Sequence, residues 1–248
     1  MENKGQVTIF IIIGIFALTA IAIFFGFRSE LITEEIEKTE VAPLLSGSLQ
    51  SYVESCIQEK GKEAIQFVSA HGGYYLLPEI SHQNLALPYY LYQNQSYVIS
   101  QRELERQLSL YIDNELFFCI RNFAPFQKTG LKIEQGEIAT TAMLNSNRVV
   151  FDVTFPITVE QDTLAKTLLH FSGSIDSRIG TIHDIVTEFM QLQEKNSRSY
   201  CVSCLVNLLI EPTLRVETTF VEDGIMLFTI IDDDEMLEYS FLNQYLFE

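Results

Sequence analysis

Arg148-Val-Val-Phe-Asp-Val-Thr-Phe155 decides how the second half of the chain folds. Val149, Phe151, Val153 and Phe155 alternate with Arg148, Val150, Asp152 and Thr154. A period of two sends the two sets to opposite faces of an extended strand, so the stretch reads as a half-buried β-strand. Lys132–Leu144 and Lys166–Ile175 flank it and read as its neighbours. Further on, Leu214–Phe220 and Ile225–Ile231 are joined by Glu222-Asp223-Gly224, a good hairpin turn. Tyr239–Phe247 reads as a last strand.

Helical spacing appears before and between these strands. Leu49, Tyr52, Val53, Cys56, Ile57, Ala64, Ile65 and Val68 form one stripe of a helix that Gly72-Gly73 ends. A second stripe, Leu104, Leu108, Tyr111, Ile112, Phe118 and Cys119, predicts a helix from Gln101 to about Asn122. Ser100 caps its start, with Glu103 three residues on. A third helix is predicted over Ile179–Lys195, with Ile179, Ile182, Val186, Phe189 and Met190 inward. Between the first two helices, Tyr89–Ser100 reads as a short hairpin with Gln93–Ser96 in the turn. The apolar piece that follows Cys201-Val-Ser-Cys204 and runs to Ile210 is helix or strand. Strands that cluster and join by hairpins, with helices apart from them, give an α+β fold with an antiparallel sheet.

Composition narrows the function. Of 248 residues, 47% are apolar and 20% charged, so the chain can build a core. Its net charge is −17; leaving out Glu2, Lys4 and Arg28, 14 basic and 32 acidic side chains remain, a balance of −18. A nucleic-acid partner is therefore not expected, because phosphate backbones need a basic face. Cations or basic partners suit this charge, as does plain solubility.

Val7–Phe27 carries no charge over 21 residues. As a helix it spans roughly 32 Å, which matches a bilayer core of about 30 Å. Only a helix satisfies the backbone of a single segment in lipid. The expectation is a single-pass anchor in the cell membrane, with the bilayer as its partner. Phe24, Phe25 and Phe27 stand where a removable signal would carry small residues, which favours retention. The six-residue tail before the run places the N-terminus in the cytoplasm and the domain outside it. The chain thus divides into a tail and transmembrane helix over 1–28, an acidic stalk over 29–43, and an extracytoplasmic domain over 44–248 with a sub-boundary near 125–130.

Four cysteines carry the clearest chemistry. Cys56 and Cys119 each lie on an apolar helical stripe, and Cys201 and Cys204 form C-x-x-C. Outside the cytoplasm an even count favours disulfides, and four cysteines allow three pairings. The pairing Cys56–Cys119 with Cys201–Cys204 is the one expected; buried free thiols are the alternative. The C-x-x-C also suggests an envelope thiol-disulfide oxidoreductase, although no clear strand precedes it and no Pro lies between the cysteines. No catalytic residue, cofactor or metal ligand is assigned. His71 reads as a turn residue and His183 as a packed helix residue. Asp232-Asp-Asp-Glu235 lacks EF-hand spacing and reads as a solvated acidic turn. Asn94-Gln-Ser96 is a glycosylation sequon in an exposed turn.

Lys4-Gly5-Gln6 followed by the hydrophobic run resembles the class III, prepilin-like signals of archaeal surface proteins, in which a peptidase cuts after the Gly and the helix is retained. That resemblance implies processing between Gly5 and Gln6 and a pilin-like subunit as an alternative function. The chain departs from the pattern at Phe10, where pilin-type signals carry a Glu. Taken together, KGQVTIFIIIGI at 4–15, the first Cys helix running into His71-Gly-Gly-Tyr-Tyr75, Pro88-Tyr-Tyr-Leu-Tyr92, the helix ending in Cys119, and FTIIDDDEMLEYSF at 228–241 resemble a family of membrane-anchored archaeal surface proteins. The resemblance implies an anchored cell-surface protein and carries over no functional residue; the expected role is structural or interactive, with a protein partner at the cell surface and a binding face around the Tyr-rich stretch 74–92.

Overall fold

The structure, a computed structural model, describes residues 47–127, 131–161, 164–195 and 199–246. The run Val7–Phe27, the Gly5–Gln6 processing site and the acidic stretch 29–43 lie outside the described residues. Among the described residues no helix is long and apolar enough to cross a membrane. The chain divides into two units, Met1–Leu49 and Gln50–Glu248. The description below concerns the second.

The elements follow in the order α1 (47–70), β1 (Ser81–His82), β2 (Leu87–Tyr92), β3 (Gln95–Ser96), α2 (Gln101–Ile120), a 3-10 turn (Arg121–Phe123), α3 (Ala124–Gln127), β4 (Lys132–Gln135), β5 (Ala139–Asn145), β6 (Arg148–Gln161), β7 (Leu164–Asp176), α4 (Ile179–Lys195), α5 (Val202–Leu208), β8 (Leu214–Glu222), β9 (Ile225–Asp232) and β10 (Leu237–Gln244). The fold is α+β, and α4 has the bounds its periodicity predicts.

β6 is the alternating stretch read from the sequence. Val149, Phe151, Val153 and Phe155 are buried, while Arg148, Asp152 and Thr154 are exposed. β4 and β5 pair with successive halves of one edge of β6, and β7 runs antiparallel along the other. Pro156 sits inside this long strand at the irregularity between Thr154 and Ile157. A proline has no N–H to give the ladder, so the register shifts where it falls. Gly136, between β4 and β5, donates its N–H to the Pro156 carbonyl at 2.8 Å and carries the chain across that point.

α1 lies close on this sheet through two glycines. A Cβ at Gly61 would stand 2.5 Å from Ile175, and one at Gly173 2.6 Å from Ile57. α2 runs along the open edge of β5. Glu105 and Ser109 accept the backbone N–H groups of Leu144 and Ala142, each at 2.9 Å, and Gln101 donates to the Leu144 carbonyl at 3.2 Å. Four helical residues rise about 6 Å and two strand residues about 6.7 Å, so side chains one helical turn apart meet alternate strand residues. Asp113 continues the series opposite Thr140; burial raises its carboxyl pKa, and the neighbouring Thr140 opposes that rise.

The second sheet has the order β1-β2-β10-β9-β8, with β3 paired to β2. Its β8–β9 hairpin turns at Asp223-Gly224, where Gly224 has φ 76°. The expectation of an antiparallel sheet is corrected here: β2 and β10 pair in parallel, Tyr89 opposite Leu242 and Leu91 opposite Asn243. Parallel neighbours need a long connection, and about 150 residues separate these strands. β2 is buried at five consecutive positions, as suits such a strand. The ring of Phe189 on α4 packs against Phe228 and Phe241 at 5.3 and 6.4 Å, and Phe241 stacks on Tyr90 at 4.7 Å.

Candidate functional site: a tyrosine-lined groove and an exposed disulfide loop

Both expected disulfides are present. Cys56 on α1 is joined to Cys119 on α2, with 5.7 Å between the Cα atoms, and Cys201 is joined to Cys204. The Tyr52 hydroxyl adds to the first bridge by donating to the Cys119 and Ile120 carbonyls at 3.1 and 3.2 Å. Both cysteine-bearing helices are therefore tied together at one end by a covalent and a polar clasp.

The segment after α1 forms the groove. Gly73 donates to the Val68 carbonyl at 2.8 Å and Gly72 to the Ser69 carbonyl at 3.0 Å, closing the helix with left-handed glycines. A Cβ at Gly72 would stand 2.6 Å from Pro88 and 2.7 Å from the Ser240 carbonyl, so the chain turns here only with glycine. The buried amide of Gln107 on α2 then accepts the N–H groups of Tyr75 and Leu76, both at 2.9 Å.

Beyond this anchor, β1 and β2 frame a groove of about 680 Å³. Tyr89, Tyr92, His82, Glu79 and Glu222 are among its walls. The two tyrosine rings stand 5.1 Å apart, and His82 lies 3.5 Å from the Glu222 carboxylate. Leu85 donates its N–H to His82 Nδ1 at 3.3 Å, which leaves Nε2 as the nitrogen facing Glu222. Burial, then the charge of Glu222, raises the Tyr89 phenol pKa. Carboxylates and neutral phenols together suit a cationic side chain, which the rings attract through their faces.

Asn94 sits at the tip of the β2–β3 hairpin, exposed and left-handed at φ 61°. The turn is shorter than the sequence suggested: Gln93-Asn94 make it, and Gln95-Ser96 already pair with β2. The acidic turn also differs from expectation. Asp232 is fully buried, not solvated, and Arg178 at the start of α4 holds it, while Asp233 and Asp234 are exposed as expected. Among the described residues no group of three or more His, Cys, Asp or Glu has the arrangement to hold a metal ion. His183 is buried and donates Nε2–H to the Ile99 carbonyl at 2.8 Å, a packing role. His71 stacks on Phe67 at 4.2 Å in the turn after α1.

Sequence reasoning missed Gln193 and Ser203. Gln193 is buried on α4 and accepts the Cys201 N–H at 3.4 Å and the Tyr245 hydroxyl at 2.6 Å. A polar residue at an inward position of the α4 stripe is the signal that marks it. No family model, curated protein or solved structure matches this chain.

Proposed function

We propose that this chain is a single-pass, membrane-anchored cell-surface protein whose α+β domain stands outside the cytoplasm and binds a protein partner. The observation that carries the reading is the pair of disulfides, since such bridges persist in oxidising compartments and are rare in the cytosol. The uncharged run Val7–Phe27 supports the anchor, and the exposed sequon at Asn94 suits an external surface. The tyrosine-lined groove is the binding face. Its carboxylates and the −17 charge of the chain favour a basic segment, steered in by the field of the domain.

Protease treatment of intact cells tests the placement. The expected result is a chain that sediments with membranes and loses its domain without lysis. Protection until lysis, with four free thiols on immediate alkylation, would reject the proposal. Tyr92→Ser and Glu222→Gln are then expected to weaken capture of a basic peptide by about tenfold.

A further inference from the structure

The two disulfides differ in their surroundings. In the first, Cys56 is buried and Cys119 part-exposed, whereas in the second Cys201 and Cys204 are both part-exposed and three positions apart. Closing so short a loop restricts the unfolded chain less than the 63-residue separation does, so fold stability accounts for less of the second bridge than of the first.

What surrounds that bridge is specific. Beneath it, Gln193 accepts the Cys201 N–H at 3.4 Å and donates to the Ser199 carbonyl at 3.1 Å. The Tyr245 hydroxyl donates to the same Gln193 oxygen at 2.6 Å and accepts from Asn243 at 3.1 Å. Beside it, the Ser203 hydroxyl lies 3.6 Å from Cys201 Sγ. Around it, Tyr200 and Phe220 are 46% and 56% exposed with their rings 5.6 Å apart. The Tyr200 ring also lies 6.1 Å from that of Tyr245, so this apolar surface is continuous with the buried clamp. Exposed aromatic surface beside a reachable disulfide is where an apolar polypeptide docks.

We propose that Cys201–Cys204 is an exchange disulfide that takes two electrons from a dithiol on a partner polypeptide docked over Tyr200 and Phe220. The Ser203 hydroxyl, by donating to Cys201 Sγ, makes Cys201 the better leaving thiolate, so attack falls on Cys204. A partner thiolate bonds to Cys204 Sγ as the Cys201–Cys204 bond breaks, and the electron pair stays on Cys201 Sγ, which takes a proton. The partner's second thiolate then attacks the partner sulfur of the mixed disulfide. The partner's own disulfide forms, the bond to Cys204 breaks, and that electron pair and a second proton end on Cys204. The partner dithiol is oxidised and this chain's disulfide reduced, with two electrons and two protons transferred. Gln193 is a positioning residue, holding Ser199 and Cys201 while the sulfur bond opens.

The test uses the full-length oxidised chain in detergent. It is mixed with an equimolar apolar peptide carrying two reduced cysteines, or with dithiothreitol, then quenched in acid, alkylated and mass-mapped. Alkylation is expected at Cys201 and Cys204, with one peptide disulfide formed per chain and Cys56–Cys119 intact. Tyr200→Ser with Phe220→Ser is expected to slow the peptide reaction about tenfold and leave the dithiothreitol rate unchanged; Ser203→Ala slows both several-fold. An unchanged thermal melting transition shows that the double variant is folded. Cys201–Cys204 left oxidised by both reductants, or reduced only together with Cys56–Cys119, would overturn the exchange. Equal peptide rates in the parent and the double variant would overturn the docking surface.

Discussion

Arg178, part-exposed, and Asp232, fully buried, form an ion pair that fixes the start of α4 to the turn between β9 and β10. Asp232 is fully buried, and Arg178 Nε donates to its Oδ2 at 2.6 Å while a terminal guanidinium nitrogen donates to Oδ1. The same carboxylate accepts the N–H groups of Asp234 and Glu235 at 3.1 and 3.3 Å, and Glu235 in turn accepts the Arg178 N–H at 3.0 Å. With its oxygens occupied in this way, Asp232 is the joint between α4 and a turn whose Asp233 and Asp234 stay exposed.

Removing the cation alone is expected to be costly. Arg178→Leu strands a buried carboxylate and should destabilise the domain by about 3–5 kcal/mol, because an uncompensated buried charge keeps its desolvation cost. Asp234→Asn, at an exposed carboxylate 3.3 Å from the same guanidinium, should change stability by less than about 1 kcal/mol. Urea unfolding of the two variants checks the contrast.

The hydrogen bonds between α2 and the edge of β5 make a second prediction. Ser109→Ala and Glu105→Ala each leave a β5 N–H without its partner, at an expected cost of about 1–3 kcal/mol where water cannot replace it. Hydrogen exchange should then quicken at Ala142 and Leu144 ahead of the β6–β7 ladder. Unchanged protection at these two amides would show that the side chains do not secure the edge.

The disulfides should contribute unequally. Cys56–Cys119 closes a separation of 63 residues and Cys201–Cys204 one of three. Loop-closure entropy assigns about 4 kcal/mol to the first and about 2 kcal/mol to the second. Paired Cys→Ser replacement at 56 and 119 should therefore lower the denaturation midpoint clearly more than the same change at 201 and 204.

Alkaline pH should weaken the fold through Tyr245. Burial pushes its phenol up to about 12, against a hydrogen bond from Asn243 that lowers it. The unfolded phenol ionises near 10 while the folded one stays neutral. Stability from this group is therefore intact below about pH 10 and lost progressively toward pH 12. Tyr245→Phe should flatten that decline in thermal melts between about pH 9 and 11.5, a range that brackets the ordinary phenol pKa.

What the sequence by itself determined is local. The bounds of α4, the alternation in β6, the Ser100 cap and the Asp223-Gly224 turn each follow from spacing within a few residues, where period and turn chemistry act directly. Ser100 does accept the Glu103 N–H at 3.2 Å, while the Glu103 carboxylate, lowered in pKa chiefly by Arg106, is engaged by Arg106 and Gln107. Only the tertiary structure decided relations across long separations. It selected one cysteine pairing among three, placed β10 parallel to β2, buried Asp232 against Arg178, and brought Gln193 beneath Cys201. The physical reason is that an acidic run or an inward glutamine has the same local pattern whether water or a distant partner satisfies it. The partner is supplied only when the whole chain packs.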